Sequence, residues 1–530
     1  MKARRFVAIV LAAALMLLGL GAAAWWFVLE QSPLRLQHHA LVVPAAARFV
    51  ARQSPLSLFV LTDGEQPVAY ARAVAAPSQR QAAMAAMARL RDGAFAAAGL
   101  DYPRELSPWL GAEIGLALVS SGDPQGPEGW LLSLRSRDSD GARRFLQRFW
   151  QTRSLAGADL QITTYRGMGL ISGRAALVGT EMAPIATALI NDELVLIASS
   201  RPVLERSLDV SQIDELNLAA SDLLRRGIDT LGDGAALLFA RPAAMASWLG
   251  IPPEPVAEGD ISALVAALRP AGPGLAVDVV LSRAAGAAPS DWTLTPQAED
   301  RAVALLTSLR GEVDSLTLLQ NPAALPGFLQ PLLVQVLARA SGPLPALVSA
   351  VDPGPLLWAE GPDGWLLGTG ADAPAPSALE PALAAEGLIA APLQLADGRP
   401  VQVWARLAAA VGRRGRSAGS QLQADLVGAR ARQGDLAWWS EDLGRLEQQG
   451  EARHGPRQRL RQLAALDRGD AALQWAGGRG PAQALLRQWS SWRLLSGLAA
   501  EPLARAADGL ALALSPDQDG YHLRVRLDLA

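Results

Sequence analysis

The side chains that could do chemistry in this chain are few and scattered. Its four histidines are His38, His39, His454 and His522. His38 and His39 are adjacent, so on a strand they point to opposite faces. They follow an N-terminal apolar segment and could bind metal only in an assembly; the plainer reading is a pair of solvated spacer residues. His454 sits in Arg453-His454-Gly455-Pro456-Arg457, which has the composition of an exposed turn. His522 takes the polar phase of an alternating run. No Asp or Glu pattern around the four suggests a triad or a two-His metal site.

The familiar catalytic signatures are absent: there is no H-E-x-x-H, no G-x-S-x-G and no Walker A motif. Gly167-Met168-Gly169-Leu170-Ile171-Ser172-Gly173 imitates a dinucleotide fingerprint, but its third glycine falls one residue late and no acidic residue follows in a βαβ setting. It reads as a turn between strands. Asp192-Glu193 and Asp214-Glu215 are sequence neighbours, not the facing carboxylates of a hydrolase. Cysteine is absent, which excludes disulfides, iron–sulfur clusters and thiolate zinc sites. Lys2 is the only lysine, which removes Schiff-base chemistry, Ser–Lys catalysis and a P-loop. No catalytic residue, metal or cofactor is assigned.

The residues suited to contact are tryptophan and arginine. Of fifteen tryptophans, Trp438, Trp439, Trp475, Trp489 and Trp492 fall in the C-terminal half. Consecutive Trp438 and Trp439 on a strand must face both sides of a sheet. Either both faces are covered and the pair is core, or one tryptophan is presented to a partner and the pair is a contact surface. Arg413, Arg414 and Arg416 lie in a Gly/Ser-rich loop, and Arg453, Arg457, Arg459 and Arg461 follow. This charge either decorates solvated segments or meets lipid headgroups or an acidic partner. The net charge of −3 gives no electrostatic case for nucleic acid.

The elements that must position these residues come in what reads as a duplication. Gly126-Pro127-Glu128-Gly129-Trp130-Leu131-Leu132 recurs as Gly361-Pro362-Asp363-Gly364-Trp365-Leu366-Leu367. Further pairs follow in order: 192–197 with 434–439, 232–239 with 469–475, and the Pro…Gly turns 270–274 and 516–520. Residues 56–283 and 301–530 therefore read as two copies, after a spacer at 31–55 and around a linker at 284–300. In the last run Tyr521, Leu523, Val525, Leu527 and Leu529 alternate with polar residues, as in a half-buried strand. A helix is expected over 78–98, with Ser78 and Gln81 as a capping box and Gly99 closing the end. The expected fold class is α+β: two tandem copies of an antiparallel sheet, helices mainly on one face, preceded by one transmembrane helix.

That helix is residues 1–30. Lys2, Arg4 and Arg5 precede the uncharged stretch Phe6–Leu29, long enough to cross the ~30 Å hydrocarbon core. The basic flank stays in the cytoplasm and the body is exported. Ala22-Ala23-Ala24 resembles a signal-peptidase site, so cleavage is the competing reading. Either way the body lies outside the cytoplasm.

Taken with the anchor, three segments resemble an uncharacterised family of bacterial, chiefly cyanobacterial, single-anchor proteins classed as a domain of unknown function. They are Trp109-Leu110-Gly111-Ala112-Glu113-Ile114-Gly115-Leu116-Ala117, Tyr165-Arg166-Gly167, and Leu194 to Ser199 followed by Pro202-Val203-Leu204. The resemblance implies an inner or thylakoid membrane protein with its body in the periplasm or lumen, and it brings no activity. The expected function is a non-enzymatic interaction or assembly factor held to the bilayer through residues 6–29, with a membrane or envelope protein as partner. The alternative is a carrier of an apolar ligand such as lipid or pigment; enzymatic activity ranks third.

Overall fold

The computed structural model describes residues 32–119, 129–153, 160–177, 182–247, 261–284, 294–320, 348, 354–372, 376–411, 420–451, 454–466, 469, 471–498 and 503–529. The expected anchor at 6–29 lies outside them, and no described helix is long and apolar enough to cross a membrane. The chain forms two compact units. The first is Met1–Phe239 with Ala267–Pro273 and Leu498–Glu501; the second is Ala240–Ala266, Gly274–Gly497 and Pro502–Ala530. Twenty strands are described, and antiparallel sheet is the common framework.

The first unit uses β1 (Leu56–Val60), β2 (Leu110–Val119), β3 (Gly129–Ser136), β4 (Gln161–Tyr165), β5 (Met168–Ala175), β6 (Ala183–Ile190), β7 (Leu194–Ala198) and β8 (Ala236–Ala240). They are ordered β4-β5-β6-β7-β3-β2-β1-β8. β9 (Ile261–Ala271) and β10 (Gly274–Arg283) follow in the chain. The remaining strands are β11 (Ser315–Leu319), β12 (Leu356–Gly361), β13 (Gly364–Gly370), β14 (Ile389–Gln394), β15 (Pro400–Val411), β16 (Ser420–Gln433), β17 (Leu436–Ser440), β18 (Leu473–Gly478), β19 (Ala507–Asp517) and β20 (Gly520–Leu529). In the second unit the order is β14-β15-β16-β17-β13-β12-β11-β18-β19-β20-β10.

The first eight strands of each series follow the same order, but the arrangement is not two tandem self-contained copies. β10, expected to close the first copy, is paired with β20, expected to close the second, from Leu275↔Leu527 to Ser282↔Gly520. The physical reason is the open edge of β20. A strand edge with unpaired N–H and C=O groups seeks a partner, and β10 supplies one in register. Asp278 and Arg524 fall opposite each other in that register and form an ion pair at 3.2 Å. In β20 the expected alternation is only partly realised. Leu527 is buried in a core with Leu510, against which Leu275, Val525 and Leu529 pack, but the polar phase is half-buried as well because β10 and β19 flank the strand on both sides.

Helices cover both sheet faces, which corrects the expectation of helices mainly on one face. In the second unit, helices Pro296–Ser308, Leu443–Glu451 and Arg457–Ala464 bring Leu305, Leu446 and Leu463 to a core that also holds Trp438. Helix Pro376–Ala385 brings Leu379 and Leu383 to a separate core that holds Trp439. In the first unit, Phe145, Leu146 and Phe149 of helix Ser139–Arg153 pack with Leu132 and Leu134 of β3. On the opposite face of β3, a Cβ placed on Gly129 would meet Val203 of helix Arg201–Val210. All five residues of β7, β11 and β17 are buried, and a strand apolar on both faces is stable only when both are covered.

Two local readings also change. The expected helix at 78–98 spans Arg80–Ala97 without a side-chain cap at its N-terminus, so the capping box does not form; Gly99 does adopt a positive φ of 73°. The expected spacer is packed structure. Leu36, Leu41, Ala46, Ala47, Phe49 and Val50 are buried, and short 3₁₀ turns run over Pro33–His38 and Ala45–Phe49. The second turn is held by Glu113, whose carboxylate accepts from the Ala45 and Ala46 N–H groups at 3.1 and 2.7 Å and pairs with Arg135 at 3.5 Å. Replacing Glu113 by Leu strands these donors and should cost about 1–3 kcal/mol. A lowered urea midpoint with new protease cleavage within 33–54 is the expected result; unchanged cleavage would show that the segment docks without the carboxylate.

Candidate functional site

β17 carries the residues singled out as a contact surface. It lies between β13 and β16, with Gly368↔Trp438 and Leu367↔Trp439 on one side. Trp438 and Trp439 are 1 % and 0 % exposed. Trp439 stacks on Trp404 with ring centres 5.3 Å apart, and its Nε1 donates to Thr369 Oγ1 at 3.1 Å. The Arg430 guanidinium lies 4.9 Å from the Trp439 ring centre. On the other face, the Trp438 ring occupies space that a side chain on Gly368 would fill, since a Cβ there would fall 2.7 Å from the ring. The pair is core and not a contact surface, because both faces of the strand are covered. Trp358 and Trp365 form a second stack at 5.1 Å within the Trp439 core.

Arg413, Arg414 and Arg416, the other expected contact residues, lie outside the described residues. Arg459 is buried and donates to Gln462. Its burial holds the guanidinium below its ordinary pKa, opposed by Asp314, Asp508 and Asp528. Trp492 is buried, whereas Trp489, alone among the described tryptophans, is strongly exposed at 42 %. It ends helix Arg479–Gln488, one turn beyond Leu485, which is also exposed. A second apolar strip runs across β14–β16, where Ile389 and Leu426 flank Ala405 in register and Leu393 and Leu407 are exposed nearby.

The titratable groups serve the fold. Arg143 binds Asp192 with two guanidinium nitrogens, fixing the β6–β7 turn in which Asn191 and Asp192 have positive φ. The Tyr165 hydroxyl and Arg166 Nε donate to the two oxygens of Asp209, both at 2.8 Å. Gly167, at φ 80°, completes the β4–β5 turn. The glycine-rich stretch is therefore a hairpin, as its composition suggested. Trp109 of the resemblance segment is buried and donates to the Glu105 carbonyl at 2.7 Å. His38 meets Asp233 at 3.6 Å on the surface. Among the described residues no group of three or more His, Cys, Asp or Glu side chains could hold a metal ion.

One buried charge could not have been found from sequence. Arg445 is buried, and its Nε and Nη2 have no partner among the described residues. Its Nη1 donates to Gln448 Oε1 at 3.2 Å, and Gln448 Nε2 donates to Asp363 Oδ2 at 3.3 Å. Burial lowers the Arg445 pKa, and the charge of Asp363 opposes that shift. Asp363 is thus tied to the fold as the counter-charge of a buried arginine. Only the tertiary structure joins the two.

The family comparison matches residues 10–305 to a family described as protein of unknown function (DUF3352), and the chain belongs to that family. Comparison with curated proteins finds no match. Among solved structures, the chain is similar to crystal form I of TP0453 at 7 % identity and a TM-score of 0.28, over 50 % of this chain and 87 % of that one. Crystal form III of TP0453 gives 9 % identity and a TM-score of 0.25, over 51 % and 89 %. At these scores the likeness supports no statement about fold or function.

Two stability outcomes follow from this geometry. Trp438→Ala and Trp439→Ala should each cost about 3–5 kcal/mol, read as an earlier denaturant transition. Either variant unfolding like the parent would contradict the packing. Arg445→Met should leave the transition unchanged or raise it, because an apolar side chain avoids the desolvation of an incompletely paired charge. A large loss would show that the Gln448–Asp363 link outweighs that cost.

Proposed function

We infer that this chain is a non-enzymatic interaction or assembly factor that works tethered to a membrane, with its body outside the cytoplasm. The observation that carries the reading is Trp489 with Leu485: a large aromatic and an aliphatic side chain exposed at one helix end, while nearby Trp492 is buried and Trp475 half-buried. Tryptophan is enriched at interface hot spots because it offers a large apolar area and a polar handle. The chain's catalytic poverty agrees with a binding role. Arg413, Arg414 and Arg416 add positive charge to the C-terminal half, suited to an acidic partner or anionic headgroups.

Tethering rests on the uncharged stretch 6–29 and its basic flank. In the bacterial, chiefly cyanobacterial, setting implied by the resemblance, the membrane is the inner or thylakoid one and the body is periplasmic or lumenal.

The test uses the full chain in its native membrane. Trp489→Ala should keep the parent's thermal transition and lose most of the partner recovered after solubilisation and cross-linking, whereas Trp438→Ala should lose stability first. Undiminished recovery with Trp489→Ala would remove this surface from the proposal. The chain should also resist alkaline extraction from membranes, and a C-terminal reporter should be active only outside the cytoplasm. Activity confined to the cytoplasm would refute the orientation.

A further inference from the structure

The hairpins β9–β10 and β19–β20 are built alike. Each has a first strand of 11 residues and a second of 10. Asp278 is the fifth residue of β10, and Arg524 is the fifth of β20. Where β10 pairs with β20, these two equivalent positions face each other. The register runs outward from them symmetrically: Val277 faces Val525 and Val279 faces Leu523, then Leu275 faces Leu527 and Leu281 faces Tyr521. The local two-fold axis of the ladder therefore passes between Asp278 and Arg524. An edge that meets its own equivalent across a two-fold axis has the geometry of an isologous contact, the kind that joins two identical chains.

Charge decides which chains can use that geometry. Two β10 strands from separate chains, joined in the same register, would set Leu275, Ala276 and Val277 against Leu281, Val280 and Val279. That contact is apolar throughout, but it sets Asp278 against Asp278. Two β20 strands would set Arg524 against Arg524 and His522 against Arg526. Only β10 with β20 brings opposite charges to the axis. There Arg524 Nε lies 3.2 Å from Asp278 Oδ1, and the Asp278 side chain is only 10 % exposed. Arg524 Nη1 also donates to the Leu466 carbonyl at 3.0 Å. Like charges directly opposite on a ladder are destabilising, and burial sharpens the penalty because less water screens them. We propose that Asp278 and Arg524 are the partner-selecting pair of this edge. They bar both like-edge pairings with a second copy of this chain and commit β10 to β20. The union within one chain then wins over the same union between chains by proximity.

The experiment co-expresses two differently tagged forms of the full chain, solubilises them in mild detergent and measures recovery of one on the tag of the other. Asp278→Arg sets two arginines at the axis and Arg524→Asp sets two aspartates, so each alone should unfold at a lower temperature than the parent. Expressed together, these two variants can restore opposite charges only across chains. Their cross-recovery should exceed that of either variant with itself, and of parent with parent, by about tenfold. The double variant Asp278→Arg/Arg524→Asp restores the pair within one chain, so its self-recovery should fall back to the parent's level. A merely stabilising ion pair would lower the thermal transition of the single variants without joining chains. If either charge reversal gives no folded chain, Asp278→Asn/Arg524→Gln replaces both. It removes the like-charge penalty at the axis and should raise self-recovery above the parent's. No gain for the complementary mixture, a double variant that joins chains as the mixture does, or parent-level recovery of the neutral variant where it is used would each overturn the proposal.

Discussion

β17 places Trp438 and Trp439 on opposite sides of one sheet, and that alternation obliges the second unit to build two cores. One gathers Leu305, Leu446 and Leu463 around Trp438; the other gathers Leu379, Leu383 and the stacked Trp358, Trp365 and Trp404 around Trp439. Large rings exposed on either face would forfeit the burial that stabilises the strand. The first unit obeys the same constraint through β7, whose five residues are all buried. The helices follow from it: each face needs its own layer, and the segments between strands supply them.

A sheet covered on both sides leaves little room for polar groups, and the chain handles those it buries in contrasting ways. Glu113 is matched to backbone donors and to Arg135, so its charge adds to the buried side chains that hold the same segment. Arg445 is less well matched: it reaches Asp363 only through Gln448. The first is an anchoring contact. The second is a charge that an apolar residue could replace, because desolvating an ion costs more than an indirect partner returns.

This filling of the interior bears on function. The tryptophans that looked most suited to contact are used up by packing, and the remaining candidates are at the margins: Trp489 at a helix end and the apolar strip on β14–β16. Edge strands such as β14 are paired on one side only among the described residues. Exposed apolar residues beside a free edge are suited to association. Membership of a family of unknown function leaves the chemistry of the partner to be read from these surfaces.

The sequence by itself determined what local pattern can determine. The alternation in the final strand, the glycine turn at 167–173 and the apolar run Leu194–Ala198 all appear as hairpin or strand, because side-chain period and positive-φ glycines act within a few residues. Trp130 and Trp365 each sit second in the second strand of a hairpin, opposite Leu118 and Glu360, as the shared Gly-Trp-Leu-Leu core suggested. What the tertiary structure decided is everything that needs a distant partner. Whether Trp438 and Trp439 are core or surface depended on helices more than a hundred residues away in some cases, such as the one beginning at Pro296. The pairing of β10 with β20, the docking of residues 33–54 onto Glu113 and the link from Arg445 to Asp363 join segments with no local signal for one another. A strand edge, a buried carboxylate or an unpaired guanidinium is satisfied by whatever the fold brings near, and composition cannot say what that is.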